Sequence, residues 1–94
     1  MEIGRFPNNL KSFRRRKGHS RKKVSRVLGY ADTSTLSRWE RGIALPSLFQ
    51  AFQLATIYEV LPHDLYDEVW LGLHNDESLL ISDESFNSNQ QLYM

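Results

Sequence analysis

The sequence predicts an all-α fold of five helices in one small domain. Apolar residues recur three and four positions apart in successive segments, which is the spacing of one face of a helix. These segments are separated by Gly18, Gly29, Gly42, Pro46 and Pro62. At 94 residues, the chain is close to the size at which one apolar core just suffices without disulfides or metals. We therefore expect one folded domain with frayed ends.

The first predicted helix runs from about residue 8 or 9 to Lys17 and stops at Gly18. Leu10 and Phe13 form its apolar face. Arg14 lies on the same face, four positions after Leu10, so its guanidinium should need a partner inside the protein.

The second predicted helix has Ser20 as its N-cap and ends before Gly29, with Val24, Val27 and Leu28 facing the core. Its first turn consists of three cations, Arg21-Lys22-Lys23. Positive charge at a helix N-terminus opposes the helix dipole, at about 0.3 to 1 kcal/mol for each cation. A phosphate bound at this end would explain the cations, and chance is the alternative.

The third predicted helix lies in YADTSTLSRWERG, with Asp32 as its N-cap and Gly42 as its stop. Leu36 and Trp39 face the core. Four polar residues then point outward in two rows at i, i+4 spacing: Thr33 with Ser37, and Ser34 with Arg38. An ordinary solvated helix face is the alternative to a binding surface here.

Two more helices complete the domain, which we expect to occupy residues 1–73. Ser47 should cap the fourth, whose predicted core stripe is Leu48, Ala51, Phe52, Ala55 and Tyr58. Pro62 should open the fifth, whose apolar positions are Leu65, Tyr66, Val69, Trp70 and Leu73. Residues 74–94 form a polar, acidic tail. We expect its last dozen residues to be disordered, and Leu79 to Ile81 to form a short strand or a docking segment.

Charge is sharply divided along the chain. All 12 Lys and Arg lie between Arg5 and Arg41, so residues 1–42 carry a net charge of +9 and residues 43–94 carry −8. This asymmetry indicates a nucleic-acid-binding face, with a solvated basic surface as the alternative. The absence of cysteine excludes disulfides and thiolate metal sites and favours the cytoplasm. No apolar run in the sequence reaches the roughly 20 residues needed to span a membrane.

Two helices joined by a tight turn containing glycine, with one helix before and two after, describe a helix-turn-helix domain. Over about residues 9 to 70, the sequence resembles the Cro/C1-type (XRE family) regulators, whose fold is lambda-repressor-like. The resemblance rests on Lys17-Gly18-x-Ser20, Leu28-Gly29, Leu36-Ser37-Arg38-Trp39-Glu40-Arg41-Gly42 and Pro46-Ser47-Leu48.

The resemblance implies that the third helix enters the major groove of double-stranded DNA. The positions that match base-contacting residues are Thr33, Ser34, Ser37 and Arg38, of which Arg38 can pair with guanine O6 and N7. The positions that match phosphate contacts are Ser20, Arg21, Lys22, Thr35, Arg41 and the Gly42 backbone. The family also implies a salt bridge between Arg14 and Glu40.

This sequence departs from the family in three places. The turn from Tyr30 to Thr35 has six residues where many members have five, which blurs the assignments of Thr33 and Ser34. Position 21 is Arg where Gln is more frequent. The segment that follows Gly42 lacks the basic residues often found there.

The sequence therefore predicts a transcriptional regulator, a repressor that binds its operator as a homodimer. Its dimer surface would be the fifth helix with residues 79–81, unless Trp70 instead closes the core. A second hypothesis is the antitoxin of a toxin–antitoxin pair, with the tail binding a protein partner. An interaction module without DNA binding is a third. An enzyme is disfavoured because His19, His63 and His74 have neither metal-ligand spacing nor a paired nucleophile, and no cofactor is expected.

Overall fold

The computed structural model describes residues 5–81, which form five α-helices and two short 3-10 helices. The α-helices are α1 (Leu10–Arg16), α2 (Arg21–Val27), α3 (Ser34–Glu40), α4 (Leu48–Tyr58) and α5 (Asp67–His74). The 3-10 helices are Pro62–Tyr66 and Glu77–Leu79. Since residues 5–81 contain no strand, the predicted all-α class is confirmed. No helix in this part of the chain is long and apolar enough to cross a membrane.

Two predicted N-caps are confirmed. Ser20 Oγ accepts a hydrogen bond from the Lys23 N–H at 3.0 Å, so it caps α2. Ser47 Oγ accepts from the Gln50 N–H at 3.1 Å, and Gln50 Oε1 accepts from the Ser47 N–H at 2.7 Å. This reciprocal pair is a capping box, and it fixes the direction in which the chain enters α4.

The start of α3 differs from the prediction by one residue. Thr33, not Asp32, occupies the N-cap position, and it makes no side-chain capping bond. Asp32 Oδ1 accepts instead from the Ser34 N–H at 3.0 Å and from Ser34 Oγ at 2.7 Å. These two hydrogen bonds, the hydroxyl one first, lower the pKa of the Asp32 carboxyl. Asp32 thus anchors the long turn from the position before the cap.

The core lies where α1, α2 and α3 meet α4 and the first 3-10 helix. Its buried hydrophobic residues are Leu10, Val24, Leu36, Trp39, Leu54, Ala55, Tyr58 and Leu65. The prediction that α3 gives only Leu36 and Trp39 to the core is therefore confirmed.

Two predictions of core faces are wrong. Val27 is 64% exposed, and α2 buries Ser25 beside Val24 instead. In α4, Leu48 and Phe52 are exposed whereas Leu54 is buried. The sequence of α4, LFQAFQLATIY, is apolar around most of the helix, so spacing alone cannot select the buried side.

The predicted fifth helix begins as a 3-10 helix and becomes α5 only at Asp67. Leu65 is buried, but α5 itself contains no buried residue. Trp70 is 46% exposed, so it does not close the core. Its ring packs near those of both His63 and His74, with ring centroids 5.1 and 5.5 Å away.

The Leu79 to Ile81 cluster does not form the short strand that was one of its two predicted states. Leu79 ends a 3-10 helix, and all three side chains are exposed. The expected disorder of the last dozen residues falls outside the described part of the chain.

Candidate nucleic-acid interface

The four predicted base-contacting residues, which are the N-cap Thr33 and the α3 residues Ser34, Ser37 and Arg38, do not belong to the core. Ser34 and Arg38 are exposed, and Thr33 and Ser37 are half-buried beside them. The opposite side of α3 is fixed by Leu36, which is fully buried, and by Trp39, whose ring meets Tyr30 edge-on with centroids 6.0 Å apart. The core thus holds α3 with this polar face turned outward.

The two ends of this face differ in their hydrogen bonds and in the length of their side chains. At the start of α3, the Ser34 hydroxyl donates to Asp32, and the Thr33 carbonyl accepts from the Ser37 N–H at 2.9 Å. Thr35 is half-buried. Near the end, Arg38 carries a long side chain that is exposed to solvent. Of the predicted base-contacting residues, Arg38 has the greatest reach.

The end of α3 is held by Glu40, whose side chain is only 2% exposed. Arg14 Nε donates to Glu40 Oε2 at 2.7 Å and Arg14 Nη2 to Oε1 at 3.2 Å, which is a forked contact. Arg14 Nη1 also donates to the His19 carbonyl at 2.9 Å. Arg21 Nε donates to Glu40 Oε1 at 2.9 Å, so two arginines share one carboxylate.

Sequence reasoning missed the Arg21 contact, although one signal for it was present. Position 21 is Arg where the family more often has Gln. The added positive charge can pair with a carboxylate, and the structure shows that this carboxylate is Glu40. The contact joins the first residue of α2 to the last residue of α3. The predicted phosphate contacts at the start of α2 and after α3 therefore lie at the same end of the helix-turn-helix.

Asn8 is a second structural residue that sequence reasoning missed. Its Nδ2 donates to the Trp39 carbonyl at 3.1 Å and to the Glu40 carbonyl at 3.3 Å, at the C-terminus of α3. Its Oδ1 accepts from the Leu10 N–H at 3.0 Å, at the start of α1. An Asn two residues before a helix indicates the second contact, but nothing in the sequence indicates the first.

The predicted phosphate contacts have different surroundings. Ser20 is exposed, and its hydroxyl still has a proton to donate while the oxygen caps α2. Lys22 is exposed and lines a small pocket of about 210 Å³ together with Thr33, near the start of α3. Arg41 is exposed as well.

Gly42 is different because it is buried and its backbone groups are already used. Its N–H donates to the Trp39 carbonyl at 2.9 Å, and its carbonyl accepts from the Phe6 N–H at 3.2 Å. The Gly42 N–H is therefore committed inside the domain, which argues against a phosphate contact through this group.

Further cations lie on α1, beside the end of α3. Lys11, Arg15 and Arg16 line an open groove of about 710 Å³ that also includes Asn8 and Glu40. The Arg16 guanidinium lies over the Phe13 ring, 5.1 Å from its centroid. Positive charge thus surrounds α3 on both α1 and α2.

The histidines do not form a metal site. His63 and His74 share the Trp70 ring on the acidic half of the protein, whereas His19 lies beside Arg14. Within residues 5–81, no three His, Cys, Asp or Glu side chains are grouped as metal ligands would be.

Comparison with known proteins agrees with this arrangement. A family model described as Helix-turn-helix matches residues 10–65, which is more than half of the chain. The chain is also similar to a crystal structure from Bacteroides fragilis, titled a “putative DNA-binding protein”. The two share 25% sequence identity with a TM-score of 0.57, and the match covers 63% of this chain and 94% of the other. No match is found among curated proteins. With its fold and its matched residues, this chain belongs to the Cro/C1-type (XRE) family of helix-turn-helix proteins.

Proposed function

We propose that this protein is a transcriptional regulator that binds double-stranded DNA in a sequence-specific manner, with α3 in the major groove. Family membership supports the DNA-binding regulator itself. The observation that carries the finer proposal is the outward face of α3, bordered by the cations of α1 and α2 and remote in sequence from the acidic half. A cytoplasmic location belongs to the same proposal.

The proposed roles rest on the family resemblance and are supported by the exposure of Ser34, Arg38, Ser20, Lys22 and Arg41. Arg38 would read guanine through its forked guanidinium, and Thr33, Ser34 and Ser37 would make the shorter and less selective base contacts. Phosphates would be contacted from Ser20, Arg21, Lys22, Thr35 and Arg41. Gly42 is omitted from this set because its N–H is bonded to Trp39.

Salt dependence tests the proposal directly. A protein that neutralises several phosphates releases counterions, so its duplex affinity should fall steeply with salt. In a titration by fluorescence anisotropy, we expect a log–log slope several units below zero. A flat slope would refute DNA binding through the basic half. Selection of bound duplexes from a random pool should then enrich one defined half-site, and recovery of a random set would refute sequence specificity.

We further propose that the protein acts as a two-fold dimer, a repressor that reads half-sites about one helical turn apart. The dimer surface would be α5 with the exposed side chains of Leu71, Leu73, Leu79, Leu80 and Ile81. These residues are apolar, and they belong to the half of the chain that is not proposed to contact DNA.

The dimer surface can be tested against a second apolar surface on the same protein. Leu71→Glu should shift the sedimentation coefficient to that of a monomer and weaken operator binding. Phe49→Glu, on the exposed face of α4, should leave the dimer intact. A monomeric wild-type protein would refute the dimer, and loss of the dimer in Phe49→Glu alone would move the interface to α4.

The alternative proposal is an antitoxin, in which the acidic tail of residues 74–94 binds a toxin. Co-expression with the product of an adjacent gene would test it. A stable complex that forms with wild type and is lost when residues 74–94 are removed would favour the antitoxin, and absence of a complex with wild type would favour the dimeric repressor.

A further inference from the structure

The Glu40 carboxylate makes three hydrogen bonds to two arginines although its side chain is almost fully enclosed. Arg14 supplies two of these bonds and is itself buried, with a side-chain exposure of 9%. Arg21 supplies the third, and its side chain is 41% exposed. The two arginines and the one carboxylate together carry a net charge of +1. Arg21 is the member of this group whose side chain reaches the surface.

Among residues 5–81, the way in which Arg21 is held leaves most of its hydrogen-bonding capacity free. A guanidinium has five N–H donors, and the contact with Glu40 uses only the one on Nε. The terminal Nη groups lie beyond Nε along the side chain, which is 41% exposed as a whole. An Arg fixed through Nε can therefore still present two parallel N–H groups to an oxyanion.

We propose that Glu40 is a positioning residue, which holds Arg21 so that the Nη groups bind a DNA phosphate. The start of α2 and the end of α3 would then contact the DNA backbone as one rigid element. Because the side chain is ordered before binding, less conformational entropy is lost in the complex. This inference rests on the proposed function and adds to it a specific role for an acidic residue beside the DNA surface.

Arg21→Lys separates positioning from charge. Lysine retains the positive charge, but its single ammonium group cannot bond Glu40 through one nitrogen and a phosphate through two others. We expect Arg21→Lys to bind both selected and random duplexes about 10-fold more weakly than wild type, within about 3-fold of Arg21→Gln. The matched control is Arg26→Lys, on the exposed last turn of α2, which should bind as wild type does.

The outcomes separate this inference from the proposed function. If wild type binds duplexes and Arg21→Lys binds equally well, then charge alone matters and Glu40 has no positioning role. Arg21→Gln with wild-type affinity would also overturn the inference, because Arg21 would then not contact DNA. Failure of the proposed function would look different, since wild type itself would show no salt-dependent duplex binding. Thermal unfolding should show that each variant is folded at the temperature of the binding assay, although the Arg21 variants lose a bond to Glu40 and should melt somewhat lower than wild type.

Glu40→Gln supplies a second test in which the sign of the effect is informative. Removal of a carboxylate near a polyanion should tighten DNA binding if only charge matters. Positioning predicts the reverse, with weaker binding in the wild-type background and no further weakening in an Arg21→Gln background. Tighter binding by a folded Glu40→Gln variant would overturn the inference. If that variant does not fold, the Arg21→Lys comparison decides alone.

Discussion

Arg14 ties α1 to the end of α3 through Glu40, with Nε 2.7 Å from Oε2 across 26 positions of the sequence. Both side chains are nearly enclosed. A buried ion pair adds little net stability compared with apolar residues, but removal of one partner leaves an uncompensated buried charge. The pair therefore makes the orientation of α3 depend on two residues that do not belong to its outward face.

Glu40→Leu should lower the free energy of unfolding by about 3 kcal/mol or more, because the buried Arg14 loses its anion. Arg14→Met should cost less, because Glu40 keeps its bond to Arg21. Urea unfolding followed by circular dichroism measures both. The control is Glu59→Gln at the exposed pair with Lys17, which should be nearly neutral. Equal, small losses for Glu40→Leu and Glu59→Gln would contradict the enclosed pair.

Arg38→Ala should weaken binding to the selected duplex by about 1 to 3 kcal/mol and leave random duplexes almost unaffected. The reason is that a guanidinium bonded to a base edge discriminates between sequences, whereas a phosphate contact does not. Competition titrations with selected and random DNA measure the difference. Equal losses on both duplexes would remove Arg38 from the base contacts.

The helices could be predicted from sequence because their local signals agree. Ser20 and Ser47 each precede an apolar period and cap the helix that follows. Leu36 and Trp39 are the only strongly apolar residues of α3, so the sequence identifies the buried side of this helix without ambiguity. Where one face of a helix is clearly apolar and both of its ends carry capping or stop residues, the sequence determines the bounds of the helix and its buried side.

The buried side of α4, the N-cap of α3 and the Arg21 contact could not be predicted, because they depend on tertiary contacts that leave weak signals in the local sequence. In α4 the apolar residues surround the helix, so the choice between Leu54 and Phe52 is made by neighbouring helices. The N-cap of α3 is Thr33 and not Asp32, and the residue types could not separate the two because both Asp and Thr are favoured at N-caps. The Arg21 bond to Glu40 joins positions 19 residues apart, and no periodicity reports such a contact.

Gly42→Ala should destabilise the protein more than Gly18→Ala, although both glycines have nearly the same left-handed backbone, with φ of +76° and +75°. Alanine in this conformation costs about 1 to 2 kcal/mol at either position. At Gly18 the added Cβ meets open space, whereas at Gly42 it would lie 2.6 Å from the Phe6 carbonyl oxygen. Urea unfolding of the two variants isolates the cost of this collision. Equal losses would show that the Phe6 segment moves aside freely.

Tyr66→Phe should remove part of the protein's sensitivity to alkaline pH. Burial raises the pKa of Tyr66 to about 12, from an ordinary value of 10.0. Burial, and then the charge of Glu40, also raise the pKa of Tyr58. A phenol whose pKa is raised by folding ionises at a lower pH in the unfolded chain than in the folded protein. The free energy of unfolding is therefore unaffected by this group below about pH 10 and falls as the pH rises from there through the folded pKa.

Among the described residues, neither hydroxyl has a hydrogen-bond partner. At neutral pH, Tyr66→Phe should therefore be neutral or stabilising by about 1 kcal/mol, because an enclosed hydroxyl without a partner is removed. Urea unfolding at pH 7 and pH 11 should show a smaller alkaline loss for Tyr66→Phe than for wild type. The control is Tyr30→Phe, which deletes the acceptor of a 2.6 Å hydrogen bond from Gln50 and should lower stability already at pH 7. An unchanged alkaline loss in Tyr66→Phe would mean that the Tyr66 hydroxyl reaches water in the folded protein.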